Sequence, residues 1–229
     1  MRAFELYFEQ KNKDEVFLQS FVCEPENIYQ QKLGHLYMVG ELNQALPPNA
    51  HFLSNLALAI KQAYYSQSLK KSPETSLREA LKKGNEFLEK ESKKGNVEWL
   101  GNLNFAVLSF KDHILNFAKT GTFKIFLLRT EENIDLSQSL EVELKSPDPL
   151  RVFSSMAGGK LSSDDKVVVV NKKVISLFKK KNNFIDQLSH ASTSKELKQV
   201  IKKNQEVLSE ASGVCLFLTQ NYEVKEEQT

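Results

Sequence analysis

The sequence has little cysteine, no long apolar run and no excess of charge of either sign. Its two cysteines, Cys23 and Cys215, lie in apolar strand-like runs, which predicts small buried side chains and not a disulfide or a metal pair. No segment reaches the roughly 20 apolar residues of a membrane span. The chain has 31 Lys and Arg against 29 Asp and Glu, so its charge indicates no nucleic-acid or membrane surface. We therefore expect a cytoplasmic chain with no nucleic-acid partner and no membrane partner.

A secretory signal, internal repeats and long low-complexity segments are also missing. Residues 1–8 alternate between apolar and polar side chains, whereas a secretory signal needs a continuous apolar segment. The 229 residues have a hydrophobic content of 41%, which is enough to bury a substantial core. We expect one domain over residues 1–220, followed by a charged, frayed tail at residues 221–229.

Residues 102–130 contain the clearest strand pattern in the sequence. Short apolar segments are separated by turn residues at positions 111–113 and 120–122, which predicts an antiparallel β-meander. Both faces of these strands are largely apolar, so we expect a sheet that is covered on each side. An alternating pattern over residues 4–22 predicts an amino-terminal hairpin with its turn at residues 11–14.

Apolar residues at helical spacing predict two pairs of helices. Asn49 is the expected N-cap of the first of two antiparallel helices that cover one sheet face. The second is expected to open at residues 72–75 and to run to residues 93–95. Asn182, together with either Thr193 or Ser194, is expected to cap two later helices, which form a second helical layer.

Further strands are predicted in the second half of the chain. Residues 167–170 are four valines, which favours a buried central strand, and residues 214–218 form a last buried strand. Residues 152–153 are expected to start a short strand and residues 157–160 to be flexible. The elements together predict an α+β fold: a four-layer α/β/β/α sandwich of two antiparallel sheets flanked by helix pairs.

Four stretches of the sequence, at residues 36–42, 117–129, 161–172 and 212–218, resemble the PPM-type family of metal-dependent serine/threonine protein phosphatases. The resemblance covers most of the chain, from the amino-terminal strands to the last strand. In active members, aspartates in these stretches hold a pair of divalent metal ions, which share and activate the water that attacks the phosphoester. The resemblance therefore implies the phosphatase fold.

The metal-binding aspartates of the family match Glu41, Thr122, Lys172 and Ser212 of this sequence, and only Glu41 is acidic. The predicted amino-terminal hairpin, residues 4–22, also contains no arginine that could take the phosphate-clamping role the family gives to one there. An ammonium at the position of Lys172 would repel a divalent ion by several kcal/mol at an effective dielectric near 20. We expect Lys172 to point toward Glu41 and Thr122 and to replace the metals as the local positive charge.

The resemblance and these replacements predict a catalytically inactive phosphatase-like domain that needs no cofactor and acts as a regulatory or protein-interaction module. Its expected partner is a protein or a phosphoprotein. The alternative is an active metal-dependent phosphatase that holds Mn²⁺ or Mg²⁺ with Glu41, Asp164 and Asp165, although the two aspartates also suit the capping of a turn. A third reading is an amide hydrolase of similar architecture, which needs Thr, Ser or Cys as its first residue, whereas this chain begins with Met1.

Overall fold

The computed structural model describes residues 1–8, 16–44, 47–66, 71–129, 132–141, 151–180, 184–191, 193–204 and 213–219. The chain divides into two compact units. We call Met1–Lys11, Lys124–Asp135 and Ser162–Thr229 the first unit, and Asn12–Phe123 and Leu136–Leu161 the second unit.

The secondary structure of the described residues is as follows. In chain order the strands are β1 (Arg2–Phe8), β2 (Phe17–Cys23), β3 (His35–Leu42), β4 (Leu103–Lys111), β5 (Ile114–Thr120), β6 (Lys124–Leu128), β7 (Asn133–Asp135), β8 (Ala157–Lys160), β9 (Lys166–Val170) and β10 (Gly213–Thr219). The α-helices are α1 (Phe52–Ser66), α2 (Pro73–Lys93), α3 (Gln138–Glu141), α4 (Lys172–Lys180), α5 (Phe184–His190) and α6 (Ser194–Lys203), and short 3-10 helices lie at Gln30–Lys32 and Pro47–Asn49.

The second unit is an antiparallel sheet with strand order β2-β3-β4-β5-β8, packed against α1 and α2. The inward face of α1 buries residues at helical spacing, among them Leu53, Leu56 and Ile60, against the sheet. At the start of α2, the Ser72 hydroxyl accepts a hydrogen bond from the Thr75 N–H at 3.2 Å. The predicted opening of the second helix at Ser72 and the predicted pair of helices on this sheet are confirmed.

The first unit is an antiparallel sheet with strand order β1-β10-β9-β6-β7. Val168 and Val170 of β9 pack in one apolar cluster with residues of α4, α5 and α6. Thr193 and Glu196 form a reciprocal capping box at the start of α6, because the side chain of each accepts a hydrogen bond from the backbone N–H of the other. The predicted central valine strand and the predicted cap at Thr193 are confirmed, whereas Asn182 lies outside the described residues.

The predicted amino-terminal hairpin is wrong, and the predicted β-meander is confirmed only in part. β1 pairs with β10 and β2 pairs with β3, so the two amino-terminal strands lie in different sheets and form no hairpin. The proposed turn at residues 11–14 lies outside the described residues. Of the β-meander, the pairing of β4 with β5 is confirmed, whereas the third strand, β6, pairs with β7 and β9 of the other sheet. The alternation of apolar residues predicts a strand. Where a strand is apolar on both faces, however, its sequence pattern does not predict which strand it pairs with.

Two smaller predictions are also corrected. The backbone N–H and C=O of Phe153 bond to the side-chain amide of Asn85 on α2, at 2.9 and 3.2 Å, and not to a neighbouring strand. The strand of this region is β8, at residues expected to be flexible, and it pairs with β5. Asn49 does not cap α1, because α1 begins at Phe52 and the Asn49 side chain instead bonds to Asn96 and Glu98.

Seven apolar strand residues are all buried: Phe105, Phe117, Ile125, Leu127, Val168, Val170 and Leu216. Phe105 lies in the cluster beneath α1 and α2, whereas Val168 and Val170 lie in the cluster beneath α4, α5 and α6. Cys23 and Cys215 are free and buried, as predicted. Burial raises the pKa of the Cys215 thiol to about 12, so this side chain stays protonated at neutral pH.

The chain is α+β, with two five-stranded antiparallel sheets and helices packed on each of them, as the sequence predicts. Among the described residues, no helix combines the length and apolar character needed to cross a membrane. One domain over residues 1–220 stays a prediction, and the tail at 221–229 lies outside the described residues.

Candidate functional site

Two of the predicted site positions come together at one end of the second unit's sheet. Glu41 lies near the end of β3, directly opposite Asn104 of β4 in the antiparallel register. Thr122 follows β5 in the turn that leaves the sheet. The side chains of Glu41 and Asn104 lie in a buried environment, with only 5% and 7% of each residue exposed, whereas Thr122 is exposed.

Asn104 connects these two positions through its side-chain amide. Its Nδ2 donates a long hydrogen bond of 3.4 Å to Glu41 Oε1. Its Oδ1 accepts from the Thr122 backbone N–H at 2.7 Å and from the Thr122 hydroxyl at 3.2 Å. The amide therefore uses both its donor and its acceptor, which is the satisfied arrangement expected of a buried asparagine. We call Glu41, Asn104 and Thr122 the amide-linked cluster.

Gly121 makes this geometry possible. Its φ of +70° is in the left-handed region, and a Cβ at this position would lie 2.1 Å from Asn104 Oδ1. Glycine therefore lets the turn approach the asparagine closely enough for the Thr122 N–H to donate. Lys119 Nζ donates to the Gly121 carbonyl at 3.1 Å and holds the same turn from outside.

Asn104 is absent from the site residues predicted from the sequence. Its role depends on the β3–β4 register, because residues 41 and 104 become neighbours only when these strands pair. The available signal is a polar residue inside the apolar strand that runs from Leu103 to Phe110. A buried polar side chain in such a strand needs a hydrogen-bonding partner, and this requirement points to a polar neighbour.

Lys172 is the first residue of α4 and is exposed. The preceding Asn171 is buried, and its Oδ1 accepts from the Val174 N–H at 3.1 Å, as an N-cap does. Helix α4 begins at Lys172, and the Lys172 side chain is exposed to solvent. The expectation that Lys172 points toward Glu41 and Thr122 stays a prediction. Lys172 belongs to the first unit and Glu41 to the second. Ser212 lies outside the described residues.

The two aspartates of the alternative metal site have different environments. Asp164 is exposed, whereas the Asp165 side chain is only 3% exposed. Arg129 donates to both oxygens of Asp165, at 2.9 and 3.1 Å, and the Ser162 N–H donates at 2.8 Å. Burial favours a raised pKa for Asp165, but these hydrogen bonds and the Arg129 charge outweigh it and bring the pKa below its usual value. This carboxylate therefore already has a cationic partner.

The oxygen atoms that the amide-linked cluster could offer as metal ligands do not suit a pair of divalent ions. Hard cations such as Mn²⁺ and Mg²⁺ need several oxygen ligands, among them carboxylates. The cluster offers one carboxylate, an amide oxygen that already accepts two hydrogen bonds, and one hydroxyl. Across the described part of the chain, no group of three or more His, Cys, Asp and Glu side chains could hold a metal ion.

Comparison with known sequences gives no relative, because no protein family profile and no curated protein matches this chain. Solved structures do match. Serine/threonine phosphatase Stp1 from Staphylococcus aureus has a TM-score of 0.63 at 11% identity, covering 96% of this chain and 94% of that one. The catalytic domain of the phosphatase PstP, in complex with two manganese ions, has a TM-score of 0.62 at 12% identity, covering 94% and 95%. PppA, a key regulatory component of T6SS in Pseudomonas aeruginosa, has a TM-score of 0.56 at 12% identity, covering 95% and 99%.

Proposed function

Because this chain has the fold of the bacterial PPM-type serine/threonine phosphatases, we propose that it is a catalytically inactive member of that fold, which acts as a regulatory or protein-interaction module. The observation that carries the proposal is the amide-linked cluster. Its one carboxylate, Glu41, is tied to a neutral asparagine, which in turn is tied to Thr122.

The chemistry of phosphoester hydrolysis supports this reading. A two-metal phosphatase needs carboxylates that fix both ions and lower the pKa of the attacking water. Thr122 is neutral and Lys172 is cationic, at positions where the family has aspartates. The Asn104 amide joins Glu41 to Thr122 at the end of the sheet through hydrogen bonds, in place of the shared carboxylates that a metal pair needs.

The proposed binding partner is argued from the same fold and the same proposed loss of catalysis. A phosphatase-like domain that does not turn over phosphoproteins can still recognise them or bind another protein. We infer a protein or phosphoprotein partner. PppA, which shares this fold, is described as a regulatory component.

The test is calorimetric titration of the full chain with Mn²⁺ and with Mg²⁺, together with a phosphatase assay on phosphoserine and phosphothreonine peptides. We expect no stoichiometric binding of two ions and no metal-dependent release of phosphate. Glu41→Gln is the matched control, because it removes the charge and keeps the shape. Its calorimetric traces should match those of the wild type.

The active alternative makes the opposite prediction. If Glu41 and Asp164 held two ions, the wild type would bind them tightly and release phosphate, and Glu41→Gln and Asp164→Asn would each abolish both. That result would overturn the proposed inactivity. Asp165→Asn is not a suitable variant here, because it also removes the ion pair with Arg129.

A further inference from the structure

A groove of about 570 Å³ lies between α1 and α2 of the second unit. On the α1 side it is lined by small residues, including Ala59 and Ala63, which are half-buried. The α2 side contributes the half-buried ring of Phe87. Small side chains on one wall leave room for another helix to approach closely.

Four charged residues of α2 line the same groove with alternating sign: Glu79, Lys83, Glu86 and Lys90. Their spacing of four, three and four residues puts them on one face of the helix. At a rise of 1.5 Å per residue, this charged stripe is about 16 Å long.

The charges of the stripe are accessible and only weakly engaged within the chain. Lys83 and Glu86 form an ion pair of 2.6 Å, but their side chains are 57% and 58% exposed. Glu79 pairs with Lys71, and about a third of each side chain is exposed. Solvent-exposed pairs of this kind contribute little to stability, so they can exchange for pairs with another molecule at small cost.

We propose that the occupant of this groove is a second copy of the chain, with α2 packed antiparallel against α2 of its partner copy. A two-fold axis between residues 84 and 85 places position 79 opposite position 90 and position 83 opposite position 86. Glu79 then faces Lys90 of the second copy, and Lys83 faces Glu86, twice each by symmetry. All four contacts join opposite charges.

The order of charges along α2 favours a second copy of the chain as the partner, and it favours antiparallel over parallel packing of the two helices. A parallel arrangement in register would put each charge against its own copy, which is repulsive at every position. An antiparallel copy is complementary at every position without any change in the sequence. Contact along about three helical turns gives a small interface, and small interfaces form weak dimers. We expect a dissociation constant in the micromolar range, and weaker association as salt screens the charges.

Sedimentation velocity of the full chain, over a concentration series up to about 100 µM at low salt, tests the dimer. Wild type should move from monomer to dimer across the series. Glu79→Lys and Lys90→Glu should each remain monomeric, because each puts like charges together at two of the four contacts. A wild-type chain that stays monomeric, or single variants that still dimerise, would overturn the proposal.

The decisive control is an equimolar mixture of the two single variants. One chain then has lysine at both positions 79 and 90 and the other has glutamate at both, so every contact between the two chains is again complementary. The mixture should dimerise although neither variant does so alone. The double variant Glu79→Lys/Lys90→Glu should also dimerise by itself, because each exchanged charge again faces an opposite charge of the second copy. Positions 79 and 90 are too far apart along α2 to pair within one chain, so the restored charge pairs can form only between copies. Failure of the mixture to associate would refute the antiparallel contact, and circular dichroism shows that each variant remains folded.

Discussion

Asn104 joins Glu41 and Thr122 through three hydrogen bonds of its side-chain amide. We predict that Asn104→Ala destabilises the protein by about 2 kcal/mol, because it leaves the Glu41 carboxylate without this donor and the Thr122 N–H without its acceptor. Asn104 is buried, so water cannot fully replace the lost bonds. Urea unfolding followed by circular dichroism measures the loss.

Thr122→Val is the matched control for this change. It removes only the hydroxyl bond at an exposed position and keeps the bond from the backbone N–H to Asn104. The expected cost is below about 1 kcal/mol. If Asn104→Ala costs no more than Thr122→Val, the amide does not hold the end of the sheet together.

At the residue scale, the resemblance singled out two of the three members of the amide-linked cluster but not the contacts between them. Glu41 and Thr122 follow from the matched stretches, and they do converge on one side chain. The intermediary Asn104 could not be predicted, because it meets Glu41 only through strand register. Whether Lys172 is buried or exposed could not be decided from the sequence, because it depends on where the helix after β9 begins. Asn171 caps that helix, and Lys172 is its first residue.

At the scale of elements, β8 shows why a glycine-rich segment can be a strand. Gly158 packs so closely on β5 that a Cβ would lie 2.6 Å from Asn116 Oδ1 and 2.9 Å from the Leu115 carbonyl oxygen. The absence of a side chain is therefore a packing requirement here. The sequence pattern of β8 contains no apolar alternation, so the strand could be found only from its partner.

This packing predicts different effects for two adjacent glycines. Gly158→Ala should destabilise the protein by about 1 to 3 kcal/mol, because a backbone carbonyl and a buried amide must move. Gly159→Ala should change stability by less than about 0.5 kcal/mol, since no atom lies within 4 Å of its Cβ position. Both changes restrict the unfolded chain equally, so their difference in urea unfolding reports packing alone. Equal effects of the two variants would contradict the close contact of β8 with β5.

At the scale of the whole molecule, the class of fold could be predicted but the division of strands between the sheets could not. Local signals predicted the helix start at Ser72, the cap at Thr193 and the valine strand β9, and each has the predicted structure. Strand partners are long-range: β1 and β10 are separated by most of the chain and still pair along seven residues. Local periodicity contains no information on such distant pairs.

The predicted single domain can be tested through the lone tryptophan. Trp99 belongs to the second unit and is 3% exposed, so its fluorescence reports on that unit. The chain passes repeatedly between the two units, because the first unit is built from three separate segments. We therefore expect the two units to unfold in one cooperative transition, with coincident urea midpoints from Trp99 fluorescence and from circular dichroism.

Val168→Ala sharpens this test, since Val168 is 2% exposed in the apolar cluster of the first unit. Removing its methyl groups should cost about 2 kcal/mol. In a single cooperative domain, the Trp99 midpoint falls with the circular dichroism midpoint, although the substitution lies in the other unit. Leu56→Ala is the positive control, because Leu56 is fully buried in the apolar cluster of the second unit that also contains Trp99. It should lower the Trp99 midpoint whether or not the two units unfold together. An unchanged Trp99 midpoint in Val168→Ala, beside a lowered circular dichroism midpoint, would mean that the chain unfolds as two domains.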